Sequence, residues 1–255
     1  MKIKYIVLLN IIFFYFVPLC HSFYSYFSEE PFVNFISAKT ISENNLRFYL
    51  RHSFDKDKIA SANLRFGYRF FDSFEVYLSG LFHSSEIPSG SQIAKVSVKE
   101  YEIFFLKSFL ENYKIFNLSF LLGLNQFFFE KKFNNFEISD NKNYYFAHII
   151  IAKDIKKIIL FNISPIWIYE YKNMKNIFGI GISTKLNYKE KLAFIIEYPI
   201  LIENPYNWLQ PWSYGLQFHL GPHMVTLFVS NTYGFTYSNL LQGLDKTFYG
   251  FTFSF

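Results

Sequence analysis

Apolar and polar residues alternate singly along most of this chain, and the alternation returns in segment after segment. In "LRFYLRHSF", Leu46, Phe48 and Leu50 fall on one side and Arg47, Tyr49 and Arg51 on the other. "LRFGYRF" repeats the design, with Leu64, Phe66, Tyr68 and Phe70 against Arg65, Gly67 and Arg69. A period of two is the mark of a β-strand whose two faces meet different surroundings. The same signal predicts strands over 46–54, 64–70, 74–82, 96–107, 116–126, 144–153, 158–169, 177–188, 192–198, 212–220, 223–230 and 247–255. That is about twelve strands.

The connections sort by length. Short ones fall at 71–73, 108–114, 154–157, 189–191 and 221–222, and long ones at 83–95, 127–143, 199–211 and 231–246. A strand that starts at one membrane face must end at the other, so tight turns collect on one side and large loops on the opposite side. Hydrocarbon offers no hydrogen-bond partners, so a spanning sheet has to close on itself. The greasy faces, such as Phe116, Leu118, Phe120, Leu122 and Leu124, would then meet lipid, and the opposite face, with Asn117, Ser119, Gly123 and Asn125, would line the inside. The expected fold is all-β, a closed antiparallel up-and-down transmembrane barrel, in a bacterial outer membrane of the Gram-negative type. An even strand count puts both termini on the short-turn, periplasmic side.

Composition supports this reading. Aromatic residues make up 23% of the 255 residues and charged ones only 18%. Ahead of the strands, Lys2 and Lys4 precede the apolar run "YIVLLNIIFFYFVPL", and Cys20 and Ser22 stand at a plausible cleavage position. This is the layout of a secretory signal peptide, assigned to residues 1–22, with lipidation at Cys20 as the alternative. Residues 23–45 are read as a lead-in, a plug or an extra edge, and residues 46–255 as the barrel. The one cysteine lies in the leader, so the remaining chain has neither a disulfide nor a thiol nucleophile. Removing the leader's two lysines takes the formal charge from +5 to +3, too small an excess to argue for nucleic acid.

The inner faces carry the candidate chemistry. Arg47, Arg51, Arg65 and Arg69 share the interior of the first two strands, with Glu75 nearby and Lys185, Glu197, Gln217 and His219 on later inner faces. Either these residues make a charged constriction that attracts anions, or they form a salt-bridged filling of a narrow barrel. The histidines lack any H-x-x-H or H-E-x-x-H spacing, and His219 and His223 only bracket a tight turn, so no metal or cofactor is expected. A lipid-active Ser–His pair on the wall is a third class, but no serine can be assigned beside His219, and the protein is expected not to be an enzyme. Gly179 and Gly181 alternate within a strand, where small residues relieve crowding. The chain ends on "YGFTFSF", with Tyr249, Phe251, Phe253 and Phe255 on one face. This strand resembles the assembly signal of bacterial outer-membrane barrels, in which Gly250, Phe253 and Phe255 match the glycine, aromatic, aromatic spacing. Phe248 stands where a polar residue is usual.

The last third of the chain carries a wider resemblance. "NIFGIGISTKLNYKEKLAFIIEYPI", "YGLQFHLGPHMVTLFVSNT" and "FYGFTFSF" resemble an uncharacterised family of membrane-bound β-barrel domains of unknown function, common in Bacteroidota-type bacteria. Gly179, Gly181, Lys185, Glu197, Tyr198, Gly221, His223, Ser230 and Asn231 occupy its motif positions; Pro222 and Ser53 depart from it. The resemblance implies a barrel and brings no activity or catalytic residue with it. The function expected is a narrow passive channel or a structural barrel, with a specific small-molecule uptake porin using its long loops as the alternative. The expected partners are outer-membrane lipid, the barrel-assembly machinery through the C-terminal strand, and small solutes.

Overall fold

A computed structural model describes Asn34 and residues 46–55, 60–71, 73–89, 92–110, 116–133, 136–156, 158–188, 191–220, 223–232 and 236–254. The leader and the rest of 23–45 lie outside the described residues, as does Phe255. Thirteen strands form one sheet: β1 (Leu46–Phe54), β2 (Ala60–Phe71), β3 (Phe74–Ser89), β4 (Gln92–Leu110), β5 (Asn117–Phe133), β6 (Phe136–Ile155), β7 (Ile159–Glu170), β8 (Lys175–Tyr188), β9 (Leu192–Glu197), β10 (Ile200–Glu203), β11 (Ser213–Leu220), β12 (His223–Thr232) and β13 (Gly243–Ser254). Consecutive strands pair antiparallel from β1 to β9 and from β11 to β13, β9 pairs with β11, and β1 pairs with β13, so the sheet closes.

The thirteen strands fill twelve positions. β9 and β10 both pair with β8, and the register is kept across the gap between them: Glu197 stands opposite Ser183, and Ile200 opposite Ile180; it shifts only further on, between Leu201 and Glu203. The gap between them is Tyr198-Pro199. Pro199 has no N–H to give to the ladder, so the strand is interrupted there without changing course.

Burial alternates residue by residue, as a wall between two solvents requires. Along β1, Arg47, Tyr49, Arg51 and Ser53 are buried, while Leu46 and Phe54 are exposed. The exposed outer set is apolar: Leu78, Phe105, Leu122, Leu124, Ile149 and Ile163 face out. Aromatic rings gather at both rims of this belt. Tyr101, Tyr145, Trp167 and Tyr169 stand at one, with Tyr145 and Tyr169 6.4 Å apart, and Phe70, Phe109 and Tyr188 at the other. This is the girdle of a barrel in a bilayer.

Most of two predicted loops is strand. Residues 83–89, 92–95, 127–133 and 136–143 continue β3 to β6, which run 16, 19, 17 and 20 residues, where about 9–11 suffice to cross. Beyond Tyr101 the outward positions turn polar, with Lys99 opposite Phe128 and Ser97 opposite Glu130. Hairpins β3–β4 and β5–β6 therefore rise together as a wall, roughly 25 Å along the strands past the aromatic rim at about 3.3 Å per residue.

The interior is not uniformly polar. The arc of β1, β2 and β11–β13 lines it with Arg, Asn, Ser, Thr and Gln. The opposite arc places Phe104, Leu106, Leu121, Phe146, Leu160, Ile166, Ile168 and Ile177 inside, in one buried cluster.

Candidate functional site

The arginine arc is the product of period-two geometry on two adjacent strands. β1 turns Arg47 and Arg51 inward and β2 does the same for Arg65 and Arg69; all four are buried, at 9% exposure or less. Arg47 stands opposite Gly67, whose missing side chain leaves the space taken by the Tyr77 ring. A Cβ there would lie 2.7 Å from Tyr77 Cδ1. The Tyr77 hydroxyl donates to Glu75 (2.6 Å), which stands opposite Arg69. Arg65 reaches Glu102 (3.5 Å), and its guanidinium lies over the rings of Phe104 (5.2 Å) and Tyr237 (5.5 Å). Arg51 covers the Phe228 ring at 3.9 Å.

A second group enters from the N-terminal side. Asn34 is buried among β1, β9 and β11: its backbone N–H and its amide donate to the two oxygens of Glu197 (2.7 and 2.8 Å), and the amide also reaches Ser213 Oγ (2.5 Å). Arg51 Nη1 donates to Asn34 Oδ1 (2.7 Å). One asparagine thus bridges an inward acid and an inward arginine. Asn34→Ala should lower the melting midpoint of the folded barrel, read by heat-modifiable gel mobility. A loss of about 2 kcal/mol is expected from hydrogen bonds to charged partners.

The third group is a loop folded inward. After β12, residues Thr236–Leu241 turn back into the barrel around a short 3-10 turn at Tyr237–Asn239. Two carboxylates on β4 receive it. Thr236 Oγ1 donates to Glu100 (2.6 Å), and so does the Asn239 amide (2.8 Å). The Tyr237 N–H donates to Glu102 (2.6 Å). The Tyr237 ring packs among Phe104 (5.0 Å), Phe146 (5.1 Å, stacked) and His148 (4.5 Å, edge-on). Leu241 occupies the place of a side chain at Gly179, where a Cβ would sit 2.7 Å from Leu241 Cδ2. The crowding that the glycine relieves therefore comes from this loop.

The turn after β10 closes in at the same end. Tyr206 stacks on Trp208 (4.9 Å), donates to Glu170 and carries Lys175 over its ring (4.2 Å). Burial first, and the Glu170 hydrogen bond second, push the Tyr206 hydroxyl up to about 12.

Other sequence candidates are placed as follows. Lys185, Glu197 and Gln217 are buried inward, and Gln217 donates to Thr226 (3.1 Å). His219 is inward and half-buried opposite Met224, whereas His223 stands opposite outward-facing Leu220; the two histidines lie on different faces. Tyr249 is exposed on the lipid side, and Phe251 and Phe253 follow it there half-buried. Glu100, Glu102, Thr236, Tyr237 and Asn239 were missed from sequence. The available signal was "KEYEIF", in which two acids take alternate inward positions of a spanning strand.

The comparisons with known proteins agree with this geometry. A family model described as "Membrane bound beta barrel domain (DUF5777)" matches residues 27–255. No curated protein matches the chain. Among solved structures, a KdgM porin superposes with a TM-score of 0.57 at 8% identity, covering 82% of this chain and 98% of that one. A KdgM porin in complex with disordered oligogalacturonate gives 0.52 at 10% identity, covering 82% and 98%. The outer membrane protein Omp33 of Acinetobacter baumannii gives 0.49 at 10% identity, covering 84% and 98%. At such identities the two KdgM likenesses show the fold alone.

Proposed function

The chain belongs to the membrane-bound β-barrel domain family, an outer-membrane barrel with porin-like architecture, and from that premise we propose that it is a narrow passive channel for small solutes, closed at rest by its own inward loop. The observation that carries this reading is the asymmetry of the inner wall. Four buried arginines line one arc, and one of them, Arg65, faces the Tyr237 ring (5.5 Å) of a loop held inside the barrel through hydrogen bonds to Glu100 and Glu102. A purely structural wall needs no such lining, since desolvating charges is costly unless they are paired or wetted. Withdrawal of the loop would expose a cationic arc that favours anionic solutes. The uptake of a sugar acid, the chemistry named for one KdgM complex, is one form this takes. Delivery to the membrane is proposed to use the 1–22 leader and recognition of the β13 aromatics by the assembly machinery.

The second reading is a filled structural barrel, favoured by the apolar cluster on the arc of β4–β8. Planar-bilayer recording separates the two. The full protein should show infrequent, small steps that prefer anions. Arg47→Gln and Arg69→Gln, the two arginines with most exposure, should each reduce that preference. Silence from a correctly folded protein, with or without its loop, would favour the filled barrel, and an unchanged preference in both variants would remove the arginines from the channel's function.

A further inference from the structure

The wall of β4, β5 and β6 carries an open groove of about 510 Å³ on its outer surface. Much of its lining comes from outward positions in register across three strands: Lys99, Phe128 and Asn141 form one row, and Ser97, Glu130 and Ser139 the next; Phe129 and Asp140, paired between those rows, and Lys172 complete it. The lower lip is Tyr101, a member of the aromatic rim, with Phe128 edge-on to it at 6.1 Å. The groove therefore begins where hydrocarbon ends and rises through the layer that lipid headgroups occupy.

Its charges are arranged unequally. Lys172, from the turn after β7, pairs with Asp140, and Lys132 with Glu130. Hydrogen bonds from these lysines hold both carboxyls below their usual ranges, so both acids remain ionised and matched. Lys132 is shared with Glu137 (3.7 Å). Lys99 is exposed and forms no ion pair among the described residues, although its charge helps to hold the Glu130 carboxyl down. It stands above an aromatic shelf, with the hydroxyls of Ser97 and Ser139 and the amide of Asn141 beside it.

We propose that this groove holds the phosphorylated sugar headgroup of an outer-leaflet glycolipid, with Lys99 on the phosphate, Tyr101 and Phe128 against the sugar and upper acyl carbons, and Ser97, Ser139 and Asn141 on sugar hydroxyls. The lysine supplies charge-assisted contact. The aromatic pair supplies an apolar body with a wet edge, the usual chemistry of the interface. The orientation of the molecule follows too: the long-strand side is extracellular, where such a glycolipid resides. This site is independent of whether the lumen conducts.

The test uses the full-length folded protein in detergent, with purified phosphorylated glycolipid A-type disaccharide lipid, its dephosphorylated form, and inorganic phosphate as three separate probes. Native mass spectrometry and thermal shift should show binding of the phosphorylated lipid, weaker binding of the dephosphorylated lipid, and none of phosphate alone. Lys99→Gln should weaken the phosphorylated lipid by about ten-fold, as expected for one charged hydrogen bond, and Lys107→Gln, at the opposite rim, should not. Heat-modifiable mobility confirms that each variant is folded. Equal binding of both lipids, or full retention by Lys99→Gln, would overturn the proposal. Binding of inorganic phosphate as tight as that of lipid would show an anion site without headgroup recognition and would overturn it as well.

Discussion

Gly250→Val should abolish the folded barrel. Gly250 lies in β13 between two neighbours, opposite Ser53 of β1 and Phe228 of β12. A Cβ at this position would overlap the carbonyl oxygen of His52 and stand 2.6 Å from Phe228 Cζ and 2.9 Å from the Ser53 Cα. Ordinary overpacking costs roughly 1–3 kcal/mol because side chains rotate away. Here two of the three obstacles are main-chain atoms of the strand across the seam, and they cannot move without breaking rungs between β1 and β13. Closure is what hides the edge amides from hydrocarbon, so a strained seam is a lost fold rather than a weakened one. Gel mobility without heating should show only the unfolded form, and protease should digest the protein in isolated membranes. Ser254→Ala, also on β13 but with no added bulk, should retain the heat-modifiable band. A folded, closed Gly250→Val would mean that this glycine is unrelated to packing at the seam and serves some other purpose.

The second large effect concerns the inward loop. Thr232 and Gly243 already stand opposite one another at its base, above a register shift between Ser230 and Thr232, so replacing residues 233–242 with an Asn-Gly turn should leave these two strands joined as a hairpin. That change removes the Tyr237 ring from Phe104, Phe146 and His148, and it removes three donors from Glu100 and Glu102. Single-channel conductance should rise several-fold and the closed dwell time should fall. Tyr237→Ala should reproduce part of this, because truncating a buried aromatic forfeits about 3–5 kcal/mol, and that energy holds only the loop. If the shortened protein folds yet conducts no better than its parent, the wall's own side chains close the lumen and the channel reading fails.

The barrel was readable from sequence wherever two different solvents touch the two faces of a strand. Between Leu118 and Leu124, or Leu46 and Leu50, lipid on one side enforces apolar residues and the period of two is plain. Above the rim the same strands have water outside, so Lys95, Glu130 and Ser139 interrupt the greasy series and the segments 83–95 and 127–143 read as loops. The hydrogen-bond ladder does not end there; only the hydrophobic signal does. Pro199 likewise read as the end of a strand, yet β10 resumes the same register one residue later. The four arginines were found because charges on a spanning strand are conspicuous. Their loop partner was not, since Tyr237 and Leu241 meet β4, β6 and β8 through tertiary packing that no local pattern encodes.

The tall hairpins have a consequence for how such a protein can change over time. Their crests lie beyond the reach of both the bilayer and the seam, so adding or losing one residue on each arm alters their height and leaves every rung below undisturbed. The Gly250 joint tolerates no comparable adjustment. Variation in length and surface chemistry should therefore accumulate at the crests, the part first met by an antibody or a phage, while the ring beneath stays constant.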